Sequence, residues 1–101
     1  MEKWKPHYPL SEIQRVVEDR GVDAYTATAL NGAAALGLSG NQAVAVVLGL
    51  KQKNLYKSMT TNADHRIWQD VYHAALKTGS LAYIKVTMRD DGTVVIQFKE
   101  K

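Results

Sequence analysis

The chain has 101 residues, 46% of them hydrophobic and 23% charged, which is enough for one globular core but not for two. It has no cysteine, so disulfides and thiolate metal ligands are excluded. The formal net charge of +3 is unevenly spread, with net −1 over residues 1–50 and net +4 over residues 51–101; the asymmetry suits a polyanionic partner and equally an ordinary lysine-bearing surface.

The opening stretch Met1-Glu2-Lys3-Trp4-Lys5-Pro6 is polar and unlike a signal peptide. The longest apolar run, Ala43 to Leu50, is far too short to cross a bilayer. The expectation is a soluble, cytoplasmic protein without a membrane partner. Pro6 and Pro9 hold His7-Tyr8-Pro9-Leu10 extended. Ser11 and Gln14 have the spacing of a capping box, which predicts a helix with Leu10, Ile13, Val16 and Val17 as its apolar stripe and Gly21 as its stop. After a connector from Asp23 to Thr26, a second helix is predicted from Ala27 to Leu36, with Gly37 as the left-handed residue behind it. Asn41 is the expected cap of a third helix reaching Leu50, and its all-round apolar sequence predicts that it is largely buried.

Leu55-Tyr56-Lys57-Ser58-Met59-Thr60-Thr61 is rich in strand formers. Strict alternation puts Leu55, Lys57 and Met59 on one face. That leaves a lysine on the more apolar side, where it either snorkels or marks a functional position. Residues 65–76 are ambiguous: a helix would align Trp68, Val71, Tyr72, Ala75 and Leu76, whereas a strand sets Ile67, Gln69 and Val71 against Trp68, Asp70 and Tyr72.

Two β-rich runs, Leu81 to Met88 and Thr93 to Lys99, flank Arg89-Asp90-Asp91-Gly92 and predict a hairpin. A two-residue turn mixes apolar and polar side chains on both faces. A three-residue loop, Asp90 to Gly92 with Gly92 left-handed, pairs Arg89 with Thr93 and segregates them. Ile84, Val86 and Met88 then share a face with Val94, Ile96 and Phe98. On the other face Tyr83 lies opposite Lys99, and Lys85 opposite Gln97. A one-residue slip would invert a whole strand, so the segregated register is the expected one. The polar face is either plain solvated surface or a site.

Few chemistries fit these residues. His7, His65 and His73 lack the spacing of a metal site. No glycine-rich phosphate loop is present, nothing marks Ser58 as an activated nucleophile, and turn formation explains Asp90-Asp91. Lys57, Tyr83, Lys85 and Lys99 remain, with Gln69 and one of His65 or His73 as additions. Ammonium groups can neutralise charge that builds on a phosphodiester in its transition state, and a phenol or amine can move a proton. Tyr56, Trp68 and Tyr83 can stack on splayed bases of single-stranded RNA.

Several blocks carry a family resemblance. They are Met1-Glu2-Lys3 with Pro6-His7, Tyr56-Lys57-Ser58-Met59-Thr60-Thr61, Asp64-His65, Ile67-Trp68-Gln69-Asp70-Val71-Tyr72, and Phe98-Lys99-Glu100-Lys101. In these the chain resembles the MqsR family, the motility quorum-sensing regulator toxins of bacterial toxin–antitoxin pairs. The resemblance implies one toxin domain over residues 1–101 with a RelE-like α+β fold, about three N-terminal helices packed on a twisted antiparallel sheet that ends in the hairpin. It favours a strand over Ile67 to His73. It implies a ribosome-independent mRNA interferase preferring GCU triplets. It also implies a cognate zinc-binding, helix-turn-helix antitoxin, through which alone DNA would be reached. Carried over by position, the catalytic set is Lys57, Gln69, Tyr83 and Lys99, with Tyr56, His65, Trp68 and Lys85 expected to touch substrate. The reaction expected is attack of the ribose 2′-hydroxyl on the adjacent phosphate, needing no metal and no cofactor. The alternative is a non-catalytic regulator that grips RNA or protein through the same basic face.

Overall fold

The computed structural model describes all 101 residues. A short edge strand, β1 (Glu2–Lys3), leads through an extended segment into α1 (Leu10–Arg20), α2 (Ala27–Ala35) and α3 (Gly40–Leu48). Strands β2 (Leu55–Thr60), β3 (Trp68–Ala75), β4 (Leu81–Met88) and β5 (Val94–Glu100) follow. The five strands pair antiparallel in the order β1-β2-β3-β4-β5, so β2 to β5 form a meander and β1 extends it at one edge. The helices form one layer over one face of this sheet. Between them lies a single core cluster of 20 buried residues.

The apolar stripe of α1 buries Leu10, Ile13 and Val17, as the spacing predicts. Its start differs from the expectation. Pro9 is the N-cap, no side chain caps the helix, and Gln14 does not close a box with Ser11. Instead Gln14 Nε2 donates to the carbonyls of Val47, Leu48 and Leu50 at 3.1, 3.1 and 2.9 Å. The end of α3 leaves carbonyls without helical partners, and a neighbouring amide satisfies them. The capping box belongs to α3, where Ser39 and Gln42 bond reciprocally, so Ser39 rather than Asn41 is the cap. Only Ala43 and Val47 of α3 are fully buried. This helix packs on α1 and on the 3₁₀ turn Gly21–Ala24 rather than on the sheet, which makes it less buried than its composition suggests.

Thr26 caps α2 by accepting from the Ala29 amide. This helix lies against the free edge of β5, where the Thr26 amide donates to the Ile96 carbonyl at 3.2 Å. Gly32 makes the approach possible, since a Cβ there would sit 2.1 Å from the Phe98 carbonyl oxygen. An otherwise open sheet edge is thereby covered.

In β2 a bulge at Tyr56 breaks the alternation, so that Leu55 pairs with Tyr72 and Lys57 with Val71. Leu55 therefore turns to the core while Lys57 and Met59 take the open face. The apparent conflict at Lys57 disappears. The residues facing the helices from β2 are Ser58 and Thr60, and Ser58 Oγ donates to buried Asp70 at 2.6 Å. Residues 68–75 form a strand, as the family resemblance implies and against the slight helical periodicity. The hairpin has the segregated register. The Arg89 amide donates to the Thr93 carbonyl at 2.8 Å, Gly92 has φ of 86°, and Tyr83 pairs with Lys99.

Candidate active site on the open sheet face

Strand alternation orders the open face into three ranks running across the sheet. One rank places Tyr56, His73, Tyr83 and Lys99 side by side, with Tyr56 joining through its bulge. The next holds Lys57, Val71, Lys85 and Gln97, and the third Met59, Gln69, Thr87 and Val95. Val71, although outside the core cluster, is fully buried beneath its long neighbours.

The first rank is aromatic with a cationic end. Tyr56 and His73 stack at 4.5 Å between ring centroids, and His73 meets Tyr83 at 5.4 Å. The Lys99 ammonium stands 5.3 Å from the centre of the Tyr83 ring, and that of Lys85 5.8 Å. Tyr56, His73, Tyr83 and Lys99 line an open cleft of about 530 Å³ together with Lys57, Glu100 and Lys101, and Lys85 lies outside it. The Glu2 carboxylate favours the charged form of Lys57. Its ammonium is hydrogen-bonded to the Glu2 carboxylate, which raises its pKa above the ordinary lysine range and lowers that of Glu2. Lys57 thus enters the site as a fixed cation, positioned by β1.

The other expected contacts divide. Tyr56 and Lys85 belong to this face, and Gln69 lies on it but in the far rank. Trp68 does not join them. It alternates with Gln69 onto the helix side, where it stacks on His7 at 5.1 Å and the Lys3 ammonium lies 4.2 Å from its ring. His65 is exposed in the β2–β3 loop, beside the Asp64–Arg66 ion pair. The histidine that the fold does bring to the rank is His73, whose Nε2 is buried and unpaired with any protein group. Trp4, 69% exposed, extends the rank beyond Tyr56 with ring centroids 6.4 Å apart. The sequence leaves His65 and His73 as alternatives, and only the strand parity chooses His73; Trp4 does not stand out in the sequence, because its place depends on the edge strand.

Burial lowers the pKa of both His73 and His7 below 6.5, helped by Lys101 and Lys3 respectively. A fold that holds these rings neutral binds fewer protons than the unfolded chain. Stability is therefore full above the unfolded value and falls as pH drops through it toward the lowered folded values. The thermal midpoint is expected to decline from pH 7 to about pH 5, above the range in which the carboxylates titrate, and to decline less in His73→Phe. A midpoint flat over that interval contradicts the assignment.

The family model described as "Motility quorum-sensing regulator, toxin of MqsA" matches residues 5–100. The chain is also 44% identical over 101 residues to the mRNA interferase toxin MqsR of Escherichia coli (strain K12), with all of both chains covered.

Proposed function

This chain belongs to the family of the motility quorum-sensing regulator, toxin of MqsA, and from that premise we propose that it cuts single-stranded mRNA at the cationic end of the aromatic rank. It is an mRNA interferase toxin, an endoribonuclease. The observation that carries the siting is the convergence of Tyr83 and Lys99 with fixed Lys57 in one cleft. A phosphodiester placed there is met by several ammonium groups at once. The 2′-hydroxyl of the preceding ribose attacks phosphorus, loses its proton, and forms the new O–P bond. The bond to the 5′-oxygen breaks and that oxygen gains a proton, leaving a 2′,3′-cyclic phosphate and a 5′-hydroxyl. Lys99 and Lys57 stabilise the dianionic phosphorane, which carries more charge than the ground state and is therefore bound more tightly. Tyr83 moves a proton, and His73 holds its ring from the other side. Lys85 steadies the neighbouring phosphate, while Tyr56 and Trp4 offer stacking surface to bases.

The proposal includes two further features, cutting at GCU-type sites and neutralisation by a zinc-binding, helix-turn-helix antitoxin; the family description, "toxin of MqsA", supports a partner of the antitoxin kind. No helix of the protein is long and apolar enough to cross a membrane; work in the cytoplasm belongs to the proposal, as the compartment in which mRNA is met. The deciding experiment incubates purified protein with a GCU-containing RNA in EDTA. The expected result is scission leaving cyclic-phosphate and hydroxyl ends. RNA that stays intact, bound or not, overturns both the metal-free mechanism and this siting.

A further inference from the structure

Gln69 does not sit with the cationic cluster. On β3 it lies four residues from His73, a separation of roughly 13 Å along an extended strand, longer than one phosphate-to-phosphate step of RNA. Its surroundings are a separate cleft of about 570 Å³ beneath the β2–β3 loop and the hairpin tip, to which Thr87 and Gln97 also contribute. We propose that this cleft is a nucleobase-recognition subsite, in which the Gln69 and Gln97 amides read the edge of one unstacked base of the bound RNA. The inference rests on the endoribonuclease reading and adds to it the residues that choose where the enzyme cuts.

Electrostatics separates the two ends of the face. The cleft at the Tyr83 end holds Lys57, Lys99 and Lys101 against Glu100, which suits a phosphate. The cleft at the Gln69 end holds Arg66 and Arg89 against Asp64 and Asp90, and Arg66 is already bonded to Asp64. Its remaining titratable groups are Tyr8 and His7; burial raises the phenol pKa of Tyr8 and lowers that of His7, which favours the neutral form of each. This balanced cleft is matched to a neutral base rather than to a phosphate. A primary amide presents one donor and one acceptor side by side, the complement of a base edge with an adjacent acceptor and donor. Both amides are free to do so. Neither takes part in a hydrogen bond within the protein, whereas Gln14 and Gln42 are both engaged. Val95, on the same face as Gln69 and Gln97, gives the cleft apolar wall for the flat of a base. Gln97 also lines the cavity beside Tyr83, Lys85 and Lys99, so the two ends form one continuous track. A strand whose scissile phosphate rests at Lys99 thus carries a base more than one nucleotide away into this cleft.

The test cleaves a randomised RNA pool with wild type, Gln97→Leu and Gln69→Leu, and reads every cut by sequencing. Leucine keeps the shape and removes the hydrogen bonds. Both variants are expected to lose discrimination at the same single position, displaced from the cut, by roughly 10- to 100-fold. Gln97→Glu, which retains acceptors but no donor, is expected to shift the preferred base there rather than merely flatten the preference. Thermal midpoints close to wild type exclude a folding effect. Unaltered base preferences in variants that still cut overturn this subsite while leaving the endoribonuclease reading intact. A wild-type protein that cuts no RNA removes both.

Discussion

Lys99→Ala is expected to slow single-turnover RNA cleavage by about 10²–10³-fold, with little change in thermal stability. The size follows from the place of Lys99. It lies directly across the β4–β5 ladder from Tyr83, its ammonium stands 5.3 Å from the Tyr83 ring, and its chain is exposed. An exposed lysine contributes little to the fold, so its loss is felt where negative charge develops during reaction. Tyr83→Phe, which removes only a hydroxyl, is expected to cost about 10²–10⁴-fold if the phenol moves a proton. Lys57 provides the contrast. The Glu2 carboxylate favours its charged form; if it acts as a charge, as proposed, Lys57→Arg should cut within about tenfold of wild type while Lys57→Gln falls much further. Loss of activity in Lys57→Arg equal to that in Lys57→Gln would make Lys57 the proton carrier instead. Cleavage by Lys99→Ala within tenfold of wild type would move the scissile phosphate away from this rank.

These residues were legible to unequal degrees, for physical reasons. The pairing of Tyr83 with Lys99 follows from the sequence because only one register separates Ile84, Val86, Ile96 and Phe98 from the lysines, and a three-residue loop with a glycine at its left-handed position can produce it. Lys57 was harder to place, since one extra residue in β2 reverses which face Leu55 takes. A bulge leaves no mark in periodicity. Trp68 illustrates the opposite hazard. It is adjacent to Gln69 in sequence, and alternation sends the two to opposite faces. His73 could be assigned to the rank only once residues 68–75 were known to be a strand, and their helix-like spacing argued otherwise. Helix capping failed at Ser11 because the helix already starts at Leu10, with Pro9 as its cap, and the amide of Gln14 serves three carbonyls at and just beyond the end of α3 that are distant in sequence, which no local rule weighs. The same motif at Ser39 and Gln42 has no such rival and forms.

The largest effect on stability is expected at a residue with no place in the chemistry. Asp70 is 1% exposed and lies on the helix side of β3. No cation pairs with it in a salt bridge. Its carboxylate instead accepts from the His7 amide at 2.9 and 3.0 Å, from the Tyr8 amide at 2.9 Å and from the Ser58 hydroxyl at 2.6 Å. Asp70→Ala leaves two part-buried backbone donors and a buried hydroxyl without their acceptor, and opens a small void. A cost of about 3–5 kcal/mol follows, or roughly 15–30 °C in thermal midpoint for a domain of this size. Ser58→Ala removes one bond and should cost about 1–2 kcal/mol. Asp70→Asn keeps the shape but turns an NH₂ group toward donors, so it should fall between the two. The damage should also reach the site. The two amides that Asp70 holds fix the segment behind β1, and β1 carries Glu2, which positions Lys57, and runs into Trp4. Hydrogen exchange in Asp70→Asn at a temperature where it remains folded should therefore show β1 and residues 7–8 opening before β3 to β5, with cleavage weakened in step. A variant that melts within 1 kcal/mol of wild type, or one that opens uniformly, would mean that the N-terminal segment is held by its ladder with β2 alone.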